Sequence, residues 1–140
     1  MDELIINADG CVLGRLAAYA AKQALLGKKV IIVNSEKAII SGKKENILAK
    51  YINRLQKGRG WQKGPYWPRE ADKILRRTIR GMLPWKKARG REAFKRVKCF
   101  KGMPKEYEGK VIEMKSLKKE FLNFITLGQL EKLLRGGKAK

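Results

Sequence analysis

The sequence predicts an α/β fold built around a parallel sheet. Three observations carry this. Val30-Ile31-Ile32-Val33 is a run of four β-favouring apolar residues, as expected of a strand buried on both faces in a parallel sheet. It follows a strand-like run and a helical pattern within about thirty residues, the length of a right-handed βαβ unit. Apolar residues make up 44% of the 140 residues, enough for one domain with a real core.

The elements come in order. Leu4-Ile5-Ile6 is a short strand that stops at the turn signal Asn7-Ala8-Asp9-Gly10. Val12, Leu13, Leu16, Ala17, Ala20, Ala24 and Leu25 have helical spacing, with Gly27 as a C-terminal cap. After the strand at residues 30–33, Ala38-Ile39-Ile40 follows too closely for a parallel crossover, which needs about a dozen residues. It is either an irregular extension or an edge segment. Ile47, Leu48, Tyr51, Ile52 and Leu55 mark a second helix over about residues 43–56. Residues 57–68, KGRGWQKGPYWP, read as a long loop.

A third helix is predicted over about residues 69–83. Its apolar set is Ala71, Ile74, Leu75, Thr78, Ile79, Met82 and Leu83. Its basic set, Lys73, Arg76, Arg77 and Arg80, falls on the opposite face. Pro84 ends this helix, and Gly90 interrupts the next segment. A short helix over about 91–96 is expected to carry a Glu92–Arg96 pair. Residues 97–100 read as the last sheet strand. Near the C-terminus, Thr126 and Gln129 have capping-box spacing ahead of Leu130, Leu133 and Leu134.

The formal net charge is +21. It divides as +4 over residues 1–56, +13 over 57–104 and +4 over 105–140, so the middle third is the candidate polyanion surface. Nucleic acid and anionic membrane are the two partner classes. Membrane binding needs an apolar face free to enter lipid, and the third helix needs its apolar face for the core. No apolar run approaches the roughly 18 residues that span a bilayer. The opening Met-Asp-Glu has the wrong charge for a secretory leader. Cys11 and Cys99 lack CxxC partners and histidine is absent, so neither a metal site nor a cofactor is expected. A reducing, cytoplasmic setting fits.

Asp9-Gly10-Cys11-Val12-Leu13-Gly14-Arg15 lies between strand and helix, where nucleotide enzymes place a phosphate loop. Neither GxGxxG nor GxxxxGK[ST] is present, and the segment reads as a tight turn with close helix packing. Ser35 and Ser41 have no histidine to activate them. An RNA-acting enzyme with a nucleotide-binding α/β fold is therefore the alternative reading. A DNA-compacting protein would not need aromatics beside its bases. Trp61, Tyr66 and Trp67 lie among Arg59, Lys63 and Arg69, a mixture suited to stacking on irregular or single-stranded RNA.

Three stretches carry a resemblance. They are GRLA at residues 14–17, VNSEKAIISGKK at 33–44 and RRTIRGMLPWKKARGREAFKRVKCFKGMP at 76–104. Over about residues 4–104 the chain resembles the universal large-subunit ribosomal protein thirteen (the L-thirteen family). Gly81-Met82-Leu83-Pro84 followed by Gly90-Arg91 is a specific signature of it. RGWQKGPYWPR, without histidine, points to the archaeal or eukaryotic branch, and Thr126–Leu134 resembles the archaeal C-terminal extension.

The resemblance implies a three-layer α/β/α fold with a small four-stranded, mainly parallel sheet. It implies a single domain, with a core at 1–104 and an extension at 105–140. It also implies a non-catalytic constituent of the cytoplasmic ribosome that binds large-subunit RNA beside neighbouring ribosomal proteins. Neither DNA nor membrane is expected as a partner. The basic positions expected to contact RNA are Arg59, Lys63 and Arg69, from their mixture with aromatics, and, as matching positions that the resemblance implies, Arg76, Arg77, Arg80, Lys86, Lys87, Arg89, Arg91, Lys95, Arg96 and Lys98.

Overall fold

In the computed structural model, which describes residues 3–56, 68–109, 111 and 122–136, the predicted βαβ unit forms. β1 (Glu3–Asn7), α1 (Leu13–Leu25) and β2 (Lys29–Val33) follow in order, and β1 pairs with β2 in parallel, Ile5 beside Ile31 and Ile6 beside Ile32. β4 (Val97–Cys99) adds to the other edge of β2, again in parallel, giving the order β1-β2-β4. The central position of β2 explains its unbroken apolar run. Val30 and Ile32 join the main core, while Ile31 and Val33 face the other side with Ile5.

α1 covers the first face with Leu13, Leu16, Ala17, Ala20, Ala21 and Ala24. The alanines let the helix approach the sheet closely. Gly27, at φ +98°, ends the helix as predicted. The opposite face is covered by Phe100, Tyr107 and Val111, from the segment after β4. Among the described residues this layer holds only a 3-10 turn at Lys105–Tyr107.

The α/β class holds, but among the described residues the expected four-stranded sheet is instead three strands plus a separate pair. β3 (Ile39–Ser41) lies antiparallel to β5 (Phe124–Thr126), with Ile40 beside Ile125. The physical reason is chain length. Residues 34–38 cannot return beside β2 in parallel, so they turn through a 3-10 segment, Ser35–Lys37, with Asn34 left-handed at φ 57°. β3 keeps one parallel bridge, Val12 to Ile39, and takes its long partner from the C-terminal extension.

α2 (Lys44–Gln56) buries Ile47 and Tyr51. α5 (Leu127–Gly136) begins with the predicted capping box. Thr126 Oγ1 accepts from the Gln129 N–H at 3.1 Å, and Gln129 Oε1 accepts from the Thr126 N–H at 3.0 Å.

α3 (Ala71–Gly81) is shorter at both ends than its periodicity predicted. Ala71, Ile74, Leu75 and Ile79 are buried as expected, and Thr78 bonds back to the Ile74 carbonyl. Met82 falls after the last helical residue, leaves the stripe and is 44% exposed, whereas Leu83 turns inward and is 6% exposed. Glu131 of α5 accepts a hydrogen bond from the Ala71 N–H at 2.8 Å, so a side chain from the extension caps the start of α3.

α4 (Ala88–Lys95) starts earlier than predicted, and Gly90 lies inside it rather than interrupting it. A Cβ on Gly90 would overlap the Pro84 carbonyl group and meet the Pro84 ring at 3.0 Å. The glycine is there for space: α4 rests directly on the Pro84 backbone. The expected Glu92–Arg96 pair is replaced by a bond from Arg96 Nη1 to the Ala24 carbonyl at 2.8 Å, tying α4 to the end of α1.

Gly14 differs from Gly90. A Cβ there would meet nothing within 4 Å, so the close helix packing expected at this glycine is not its role. Gly14→Ala is expected to raise stability by about 0.5 kcal/mol, the low end of the helix-interior value, because the residue sits in the first turn. Urea unfolding with an unchanged slope checks this.

Candidate nucleic-acid interface

The turn at Pro84 brings α3 and α4 together, and with them two aromatic rings. Trp85 and Phe94 meet edge to face, with centroids 5.2 Å apart and planes at 86°. Arg80 lies over the Trp85 ring, its Cζ 4.3 Å from the centroid, and Arg76 lies over Phe94 at 3.9 Å. Pro68, Lys73, Arg76, Arg77, Arg80, Trp85 and Phe94 line one open groove of about 410 Å³. Among the described residues no carboxylate lines it, although Glu70 pairs with Lys73 at 3.6 Å.

The arginines differ in what they do. Arg76 donates from Nε to the Val97 carbonyl at 3.1 Å and from Nη2 to the Phe94 carbonyl at 3.3 Å. It closes the C-terminal end of α4 while lining the groove. Arg91 donates to the Trp85 and Lys86 carbonyls and holds the turn. Arg77 titrates below the ordinary arginine value, first through burial and then through the nearby positive charges of Arg80 and Arg54.

Arg54, in the last turn of α2, was not among the predicted contacts. It stacks over Tyr51 at 5.1 Å, an i,i+3 neighbour. Its place beside α3 depends on how two helices pack, which sequence spacing does not reveal.

Lys86, Lys87, Arg89, Lys95 and Lys98 are exposed, and Arg69 is half-buried. Arg59, Lys63, Trp61, Tyr66 and Trp67 lie outside the described residues. Among the described residues, the aromatics that the structure brings to the arginines of α3 are Trp85 and Phe94. In the sequence they look like ordinary core candidates.

The turn after β1 already uses its backbone donors internally. The N–H groups of Asp9, Gly10 and Cys11 donate to Asn7 Oδ1, the Lys37 carbonyl and the Ala8 carbonyl. A phosphate loop needs such donors unspent. The Cys99 thiol is pushed up to about 12 by burial, so its thiolate is disfavoured at neutral pH. Among the described residues no group of three histidine, cysteine or acidic side chains could hold a metal, and no helix is long and apolar enough to cross a membrane.

The sequence model of the family described as Ribosomal protein L13 matches residues 1–106. The chain belongs to the ribosomal protein L13 family. Three archaeal relatives, each named Large ribosomal subunit protein uL13, are similar over nearly the whole chain. The Methanopyrus kandleri protein is 43% identical, covering 93% of this chain and 85% of its own length. The Haloarcula marismortui protein is 42% identical, over 97% and 93%. The Methanocaldococcus jannaschii protein is 46% identical, over 93% and 96%.

In this L13-family chain the signature Gly81–Pro84 with Gly90-Arg91 is the α3–α4 corner itself. Pro84 stops α3, Gly90 lets α4 sit on it, and Arg91 bonds the carbonyls between them. Arg76→Ala is expected to lower stability by about 1.5–3 kcal/mol, the range for hydrogen bonds from charged groups. Arg76→Lys should not restore it, because an ammonium lacks the planar fork that reaches both carbonyls. Urea midpoints for the two variants check this.

Proposed function

We propose that this chain is a structural constituent of the large ribosomal subunit. It binds large-subunit ribosomal RNA, supports subunit assembly beside neighbouring ribosomal proteins in the cytoplasm, and catalyses no reaction. Residues 1–140 act as one domain, with 105–140 as an extension of the core. The observation that carries the reading is the α3–α4 corner, where a folded scaffold holds Lys73, Arg76, Arg77 and Arg80 around one groove. The names of the relatives support it.

The mechanism is electrostatic and geometric. Lysines and arginines neutralise phosphates and release their counterions, which supplies much of the affinity. Membrane binding is disfavoured because Ile74, Leu75 and Ile79, the apolar face of α3, are fully buried.

Two measurements test the reading. The chain should sediment with large ribosomal subunits in magnesium-rich cell extract. Large-subunit RNA should also compete for it far better than duplex DNA of equal phosphate content at about 0.15 M salt. Equal competition would favour a DNA-compacting protein.

A further inference from the structure

Most of the groove's chemistry exceeds the needs of a phosphate. A phosphate clamp requires cations at fixed spacing, which Lys73, Arg77 and Arg80 of α3 would supply alone. This groove adds an aromatic wall, Trp85 against Phe94, with a guanidinium over each ring. Aromatic rings and guanidinium groups are the side chains that stack on a flat π-surface. In an A-form duplex the base faces are covered by their neighbours, and the protein meets only backbone, 2′-hydroxyls and base edges. A base face becomes available only where a nucleotide is unpaired and unstacked.

We propose that the groove between α3 and α4 seats one unpaired nucleotide of the bound RNA, with its base against the Arg80–Trp85 stack and its phosphate beside Arg77 and Lys73. This rests on the RNA-binding reading and narrows it to a nucleotide class at a named place. The volume of about 410 Å³ lies within the range of sites that enclose small organic groups. The wall is held in advance. Two hydrogen bonds fix the Arg76 guanidinium over Phe94, and the edge-to-face contact fixes Trp85 in turn. The like charges of Arg54, Arg77 and Arg80 repel one another, a repulsion that an incoming phosphate relieves.

The test uses the full chain and two fluorescent probes of equal length, single-stranded oligoadenylate of about eight nucleotides and a blunt RNA duplex. Trp85→Ala is expected to weaken single-strand binding by about tenfold, with Trp85→Phe restoring most of it. Neither change should move the affinity for duplex or the salt slope, since no charge is lost. Arg80→Lys, which keeps the charge and removes the plane, should also weaken the single strand selectively. It serves as the second variant should Trp85→Ala unfold the protein. An equal loss for both probes, or no loss for the single strand in any variant, overturns the nucleotide seat while RNA binding stands. Failure of the unaltered chain to bind either probe or large-subunit RNA overturns the underlying reading as well.

Discussion

Gly90→Ala is expected to destabilise the protein by about 3 kcal/mol, the upper end of the usual cost of overpacking. At an ordinary helical position the same change would stabilise by up to about 1 kcal/mol. The sign reverses because of the group that lies opposite. The added methyl would overlap the Pro84 carbonyl group, which is backbone and cannot swing aside as a side chain could. α4 would have to lift from the corner, stretching the bonds from Arg91 to the Trp85 and Lys86 carbonyls and loosening the Trp85–Phe94 contact. Urea unfolding should show a lower midpoint with an unchanged slope. The surviving folded fraction should bind single-stranded RNA more weakly, because the groove walls have parted. A midpoint equal to that of the unaltered protein would mean that the corner is plastic. Gly14→Ala is the control with the opposite sign.

The second large effect separates the core side of α3 and the turn after it from the binding side. Leu83→Ala is expected to cost about 2–5 kcal/mol, the range for truncating a buried leucine, since Leu83 packs into the main core. Its folded fraction should keep the RNA salt slope of the unaltered chain. Arg80→Ala removes a cation–π contact worth about 0.5–2 kcal/mol at a half-buried site, so stability should move less than in Leu83→Ala. The RNA salt slope should instead fall by about one, because the variant takes one positive charge out of the groove and one fewer counterion is released on binding. Both variants need urea unfolding and RNA titration at several salt concentrations. Should Arg80→Ala unfold the chain and leave the slope intact, Arg80 is a structural residue, and the division of α3 into core face and binding face is wrong.

Arg76 already shows how that division blurs. Helical periodicity places it with Arg77 and Arg80, yet its side chain turns to the Val97 and Phe94 carbonyls. Periodicity reports which side of a helix a residue leaves from. It does not report where a long, flexible side chain ends, because that depends on acceptors contributed by other elements.

By itself, the sequence determined the elements governed by local physics. The unbroken apolar run at Val30–Val33, the helical stripe of α1 with Gly27 at its end, the stop at Pro84 and the Thr126–Gln129 capping box are all formed. Each depends on residues within a few positions of one another, so spacing alone carries the information. The +13 charge of residues 57–104 was also legible, because composition needs no geometry. Only the tertiary structure decided that Gly90 sits inside α4, that β3 pairs with β5 instead of extending the main sheet, and that Trp85, Phe94 and Arg80 share a groove with Arg77. These contacts join residues by packing across the Pro84 corner or across most of the chain. Their stability comes from surfaces that exist only once the elements have met, so no local pattern in the sequence encodes them.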